Sequence, residues 1–174
     1  IAYASLARAL RGLSSRFGPP RSAWTLPELA RVVPELGAAA VGELDRLRFS
    51  QAVALAFVDW HASGLRLIVI DDLHYADDAS LEWLCGRFGS VEAERIVWMF
   101  GVRSQEMPAR LRNGIDSAEL ASVQRIVLGA LDRTAIRELI DSLGLQGLDA
   151  AAWAPVLERY AGGNPFFLLE TLAE

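Results

Sequence analysis

Four aspartates follow an apolar run in the stretch LRLIVIDDLHYADDASLEWL, residues 65–84. The run ends in Asp71-Asp72, and a second apolar run, RIVWMFGVR over residues 95–103, ends in Arg103. Because ligands bind beyond the carboxyl ends of the strands in an open parallel sheet, we expect these three side chains at one edge. One or two carboxylates hold Mg²⁺ together with waters and phosphates, and an arginine neutralises a transferring phosphoryl group. The pattern therefore predicts a magnesium and phosphate site.

Each of these side chains also has a simpler interpretation. The aspartate pair could begin a solvated turn, and Arg103 could be a surface residue or a structural salt-bridge partner of Asp72. His74, beside acidic residues, is either a general base or a residue that shapes the loop after the strand. Asp77 and Ser80 are of the types favoured at helix N-caps, so we expect them to begin the next helix.

Strands and helices alternate along the sequence. Continuous apolar runs predict three strands, at residues 65–72, 95–103 and 123–131. Apolar residues at helical spacing predict helices at residues 3–18, 25–33, 45–63, 78–89, 132–144, 148–162 and 164–174. At the start of the second helix, Thr25 and Glu28 fit a capping box. This alternation predicts an α/β fold with a parallel sheet and crossover helices.

The composition excludes several classes of function. A net charge of −5 argues against a nucleic-acid-binding surface, so we expect no direct nucleic-acid binding. All 17 basic residues are arginine, which excludes Schiff-base chemistry and a phosphate-binding lysine within this chain. No apolar run approaches the roughly 20 residues of a membrane span, so we expect no membrane association. The single cysteine, Cys85, excludes an internal disulfide and predicts a reducing, cytoplasmic location.

The stretch LIVIDDLHYADDASLEWL resembles the Walker B region of the signal-transducing ATPases of the AAA/STAND class, which include LuxR-type and maltose-activator-type bacterial regulators. Tyr75 stands where that family usually has tryptophan. The resemblance implies that Asp71 is the aspartate associated with Mg²⁺ through water. It likewise implies that Asp72 is the catalytic base and that Arg103, in MFGVRS, is the sensor arginine.

The resemblance extends over residues 40–174 and includes GGNPFFLLE near the C-terminus. There Gly163, Asn164 and Pro165 resemble the Gly-Asn-Pro motif of a helical lid that contacts nucleotide, although they also fit a helix stop followed by a helix start. The resemblance implies a partial P-loop NTPase of the ASCE type, a three-layer parallel sheet with a C-terminal helical lid. Residues 1–130 would form the core and residues 131–174 the lid.

The family's phosphate loop and its first strand have no counterpart in this sequence, which contains no lysine. Since the chain begins at Ile1, we expect a truncated domain whose Walker A segment lies N-terminal to it, with effector and output domains also outside it. ATP and Mg²⁺ would be cofactors of the intact parent, a regulator of transcription, and the chain alone would bind ATP poorly. Without the Walker A strand, the edge of residues 95–103 would be unpaired and open to self-association. The alternative is a nucleotide-independent protein-interaction module with a degenerate NTPase fold.

Overall fold

A computed structural model describes residues 2–87, 96–118, 123–145 and 147–173 of the chain. It forms two compact units, Ile1–Gln124 and Arg125–Glu174. The boundary between residues 130 and 131, which the family resemblance implied, stays a prediction. Within the described ranges no helix has both the length and the apolar character that crossing a membrane requires.

The helices of the first unit are α1 (Ala4–Phe17), α2 (Thr25–Leu29), α3 (Arg46–Ala62), α4 (Asp78–Cys85) and α5 (Ala109–Ala118). Most of them form where the sequence predicted them, and α5 is an additional one. Asp45 caps α3 by accepting the N–H groups of Leu47 and Arg48 at 2.9 and 3.1 Å. The predicted apolar face of α3 is confirmed, because Phe49 and Trp60 are both buried in the core.

The predicted capping box at α2 is wrong. Thr25 is the first helical residue, not the cap, and its hydroxyl donates to the carbonyl of Ser22 at 2.7 Å. The Glu28 carboxylate is buried and pairs with Arg31 at 2.9 Å and with Arg48 at 2.8 Å. Two arginines attract a buried carboxylate more strongly than a single backbone N–H does, so tertiary pairing overrides the local capping pattern.

The sheet consists of two parallel strands, β1 (Leu67–Ile70) and β2 (Val97–Phe100), with Leu67 opposite Val97 and Ile70 opposite Phe100. One face of the sheet packs on the core. The other face carries four exposed apolar side chains, those of Leu67, Val69, Val97 and Met99.

The predicted three-layer parallel sheet of a P-loop NTPase is wrong. The structure is 58% helical and has only these two short strands in its described residues. No strand forms over residues 123–131, where Ile126, Val127 and Leu128 are 72–91% exposed. A strand needs a neighbouring strand to share its backbone hydrogen bonds, and in the described residues only β1 and β2 pair as strands. An apolar run alone therefore does not establish a strand.

The second unit is helical and consists of α6 (Arg133–Leu143), α7 (Ala150–Ala161) and α8 (Pro165–Ala173). These helices lie within the three ranges that the sequence predicted. Their small core includes Ile136 and Ile140 from α6, Leu157 from α7 and Leu168 from α8, each at most 2% exposed.

Candidate functional site

The ends of β1 and β2 are held together by two backbone hydrogen bonds beyond the strands. Gly101 donates its N–H to the carbonyl of Ile70, and Leu73 donates to the carbonyl of Gly101, both at 2.9 Å. Between these contacts the chain turns at Asp72, whose φ of 51° and ψ of 41° place it in the left-handed region. Aspartate tolerates this conformation better than most residues, so the turn suits the sequence.

Gly101 provides the space that the Asp71 side chain occupies. A Cβ atom added to Gly101 would overlap Oδ1 of Asp71. That same oxygen accepts the N–H of Asp72 at 2.9 Å. Sequence reasoning did not single out Gly101. The only signal was a glycine at the end of an apolar strand.

The structure brings Asp72 and Arg103 together at the strand ends, as the sequence predicted. Nε of Arg103 lies 3.9 Å from Oδ1 of Asp72, and both side chains are about half exposed, at 60% and 51%. A second acid lies closer, because Nη1 of Arg103 donates to Oε1 of Glu106 at 3.2 Å. This hydrogen bond raises the pKa of Arg103, and the charges of Tyr75, Glu106 and Asp72 raise it further.

Sequence reasoning did not find Glu106. Residues 104–106 form a turn in which the N–H of Glu106 donates to the carbonyl of Arg103 at 3.0 Å. The turn returns the Glu106 carboxylate to the strand ends. An acidic residue three positions after the arginine was the available signal, but it is not specific without knowledge of the turn.

The His74 ring lies between these groups, and its side chain is only 1% exposed. Its Nδ1 accepts the backbone N–H of Arg103 at 3.4 Å. Its Nε2 lies 3.4 Å from Oε2 of Glu106 and 3.7 Å from Oδ1 of Asp72, without an aligned hydrogen bond to either in the described part of the chain. This burial favours the loop-shaping role for His74, since a general base must reach its substrate.

Asp77 belongs to a different cluster, as the sequence predicted. Its carboxylate caps α4 by accepting the N–H of Ser80 at 3.1 Å, and it also accepts the N–H groups of Tyr3 and Ser5 at 2.8 and 2.9 Å. The hydroxyl of Ser80 donates to Asp77 at 2.7 Å and accepts the N–H of Leu6. Burial alone would raise the pKa of Asp77, but these hydrogen bonds together lower it to about 2.

In the second unit, the Gly-Asn-Pro segment ends one helix and begins the next. Gly162 ends α7 with a left-handed φ of 57°, and the Asn164 side chain accepts the N–H of Phe166 at 3.0 Å at the start of α8. Pro165 is the first residue of α8. Gly163 has a φ of 74°, and its carbonyl accepts the N–H of Leu131 at 2.8 Å. This geometry gives the segment a structural role, and its nucleotide-binding role stays a prediction.

Within the described ranges, no three histidine, cysteine or acidic side chains are arranged to hold a metal ion among themselves. This arrangement differs from a zinc site, which needs three or four protein ligands. A magnesium ion needs only one or two carboxylates, because waters and phosphates complete its shell.

No protein-family model, curated protein or solved structure matches the chain. The resemblance to signalling ATPases therefore rests on the motifs alone. The chemical role of the strand-end residues therefore follows from their geometry.

Proposed function

We propose that the strand ends form the magnesium and water half of an ATP-hydrolysing site in a cytoplasmic signalling regulator. The observation that carries this proposal is that Asp71 and Asp72 directly follow β1 and that Asp72 lies 3.9 Å from Arg103, which follows β2. Two carboxylates and a guanidinium at one sheet edge are what phosphoryl transfer requires from this part of a site.

Asp71 fits a role in holding magnesium through water. Only one of its oxygens accepts a hydrogen bond from the described residues, the bond from the N–H of Asp72. The side chain is exposed, and Gly101 leaves the space in which it stands. When bound, Mg·ATP would supply the phosphoryl group and neutralise charge on its oxygens.

Asp72 and Arg103 would act on the water and on the phosphoryl charge. Asp72 is half exposed, so water can reach its carboxylate, which can orient that water and accept its proton. Arg103 is exposed and remains cationic, so it can stabilise negative charge on a phosphate oxygen. Considered by itself, the Gly163-Asn164-Pro165 segment of the second unit keeps the nucleotide-contacting role that the family resemblance implies, as a separate proposal.

The phosphate grip would come from outside this chain. With no lysine among its 174 residues, the chain cannot supply a phosphate-loop lysine, so we propose that a Walker A segment completes the site. Effector and output domains would complete the regulator, and this acidic chain would not contact DNA itself. It follows that the chain alone should bind Mg·ATP weakly, and a micromolar dissociation constant by calorimetry would contradict this.

The proposed metal position can be tested on the chain itself with Mn²⁺ in place of Mg²⁺. The paramagnetic ion should broaden backbone amide NMR signals at Asp72 and Gly101 first. Asp71→Asn should remove this broadening, whereas Asp78→Asn, in the first turn of α4, should not. Broadening centred elsewhere, or unchanged in the Asp71→Asn variant, would exclude the strand ends as the metal site.

A second candidate function, a nucleotide-independent protein-interaction module, is favoured by the exposed face of the sheet. Its four apolar side chains, Leu67, Val69, Val97 and Met99, are 49–64% exposed. Parallel sheets are normally covered on both faces, and contiguous exposed apolar patches mark contact surfaces. If this face pairs with a second copy, sedimentation should show a concentration-dependent dimer that Val69→Glu abolishes. Leu55→Glu, on exposed α3 surface, is the matched control.

A further inference from the structure

Arg103 lies between two carboxylates that compete for it. Its Nη1 forms a hydrogen bond with Oε1 of Glu106 at 3.2 Å, whereas its Nε is 3.9 Å from Oδ1 of Asp72. Since a heavy-atom distance of about 3.6 Å or more is too long for a hydrogen bond, only the contact with Glu106 is a direct bond. In the ligand-free protein, Arg103 is therefore held by Glu106.

The protonation of the His74 ring follows from its contact with Arg103. Because Nδ1 accepts the backbone N–H of Arg103, a neutral ring carries its proton on Nε2. This tautomer excludes a metal ion at Nε2 and makes that atom a hydrogen-bond donor. The buried donor lies 3.4 Å from Oε2 of Glu106 but is not aligned with it.

An unaligned buried donor is unfavourable, and a small movement of Glu106 would correct it. The Glu106 carboxylate bonds Arg103 through Oε1 and faces His74 through Oε2. If Arg103 moves away, the carboxylate is free to turn and accept the Nε2–H of His74. The hydrogen bond from His74 would then replace the bond to Arg103 that Glu106 loses.

We propose that Glu106 is a positioning residue that holds Arg103 away from the phosphate position until a phosphate group binds the arginine. His74 then holds the released Glu106 carboxylate through its Nε2–H. This inference rests on the proposed function, because it assigns the phosphate-stabilising role to Arg103. It adds a ligand-free resting state in which Glu106 binds Arg103.

The resting state can be tested without any ligand by ¹⁵N NMR of the side chains. The chain has two histidines, so His61 serves as an internal reference, and Arg103 Nε–H is identified by its loss in Arg103→Gln. We expect His74 in the Nε2–H form. In Glu106→Gln, Arg103 should turn to Asp72, and the hydrogen exchange of its Nε–H should slow by about fivefold, the factor that a hydrogen bond of about 1 kcal/mol gives. Glu158→Gln, which breaks a pair with Arg133 in the second unit, should change neither signal.

The Arg103→Gln variant gives a second measurement that does not depend on how Glu106→Gln folds. With the arginine removed, Glu106 should accept the His74 Nε2–H. The NMR signal of that proton should then shift downfield, while the signals of His61 stay unchanged. An Nδ1–H tautomer of His74, an unchanged Nε2–H in Arg103→Gln, or an unchanged Arg103 signal in a folded Glu106→Gln overturns the proposal.

A titration with inorganic phosphate in the presence of MgCl₂ tests the link to phosphate. Arg103 Nε–H should respond in Glu106→Gln at about fivefold lower phosphate than in the wild type, because a neutral amide holds the arginine less tightly than the carboxylate does. An equal response, or none in either protein, overturns the proposal. A negative result in this titration would exclude the role of Glu106 only. The proposed function is tested separately, by Mn²⁺ broadening and by ATP turnover, and neither of these depends on residue 106.

Discussion

The carboxylate of Asp77 accepts the backbone N–H of Tyr3 at 2.8 Å, a contact between residues 74 positions apart in the sequence. The same side chain accepts the N–H of Ser80, so one aspartate satisfies N–H groups at the starts of α1 and α4. Since α4 follows directly on the strand-end loop, this contact also fixes where that loop ends. Asp77, which contributes nothing to the proposed chemistry, therefore anchors the site to α1.

Replacing Asp77 should destabilise the protein more than the loss of one helix cap. Asp77→Ala removes acceptors at two helix starts, and a single cap contributes roughly 1 kcal/mol, so we expect a loss of about 2 kcal/mol in the free energy of unfolding. Urea denaturation followed by circular dichroism measures this loss. Asp78→Ala, in the exposed first turn of α4, is the control and should cost far less. Equal costs for the two variants would contradict the double cap.

The stability that Asp77 provides should depend on pH. Its pKa is lowered from 3.8 to about 2 on folding, so its contribution is complete above about pH 4 and decreases as the pH falls towards 2. The carboxylate is only partly buried, so we expect this contribution to be about 1 kcal/mol after solvent screening. The difference in unfolding free energy between the wild type and Asp77→Asn should therefore be constant above about pH 4 and shrink as the pH falls from about 4 to about 2. A difference that is constant over this range would show that the charge of Asp77 is not involved.

Gly101→Ala should displace the Asp71 side chain. The added Cβ would overlap Oδ1 of Asp71, the end of an exposed side chain, so the carboxylate must rotate away and lose its hydrogen bond from the N–H of Asp72, at a cost of about 1 kcal/mol. Gly129→Ala is a suitable control, because no atom lies within 4 Å of a Cβ at that position. Thermal unfolding compares the two variants. A Gly101→Ala protein as stable as Gly129→Ala would contradict the close approach.

Gly163→Ala should destabilise the second unit more than Gly162→Ala does. Both glycines have a positive φ, 74° and 57°, so both substitutions strain the backbone by about 1 kcal/mol. Only at Gly163 would the new Cβ also meet the backbone of Leu131, at 2.5 Å from its carbonyl oxygen. Comparing the unfolding free energies of the two variants isolates that contact, and equal values would show that residue 163 is not pressed against Leu131.

Local patterns predicted the α-helices other than α5, and the first two strands of the fold. The long amphipathic segments of α1, α3 and α6 bury the faces that their spacing indicates, and Asp77 caps α4 as its residue type suggested. α5 was missed because its sequence, ARLRNGIDSA, has few apolar residues to reveal a periodicity. The third strand was predicted from apolar character alone, which does not include the neighbour that a strand requires.

The candidate site was predicted only in part, because some of its residues meet through tertiary contacts. Asp72 and Arg103 end predicted strands, and the parallel pairing of those strands brings the two side chains together. Gly101 and Glu106 enter the site through a close backbone approach and a turn, and neither contact can be read from residue type. The burial of His74 is likewise a consequence of tertiary packing.

The proposed role of Asp72 predicts how ATP turnover changes when Asp72 is replaced by Asn in the regulator that we propose contains this chain. Asparagine keeps the size of the side chain but cannot accept a proton from water at neutral pH. We predict that turnover falls by at least about a hundredfold while Mg·ATP binding is preserved. The control is Asp78→Asn, which should turn over ATP as the wild type does. Unchanged hydrolysis in the Asp72→Asn protein would remove Asp72 from its proposed role and contradict the account of the strand-end site.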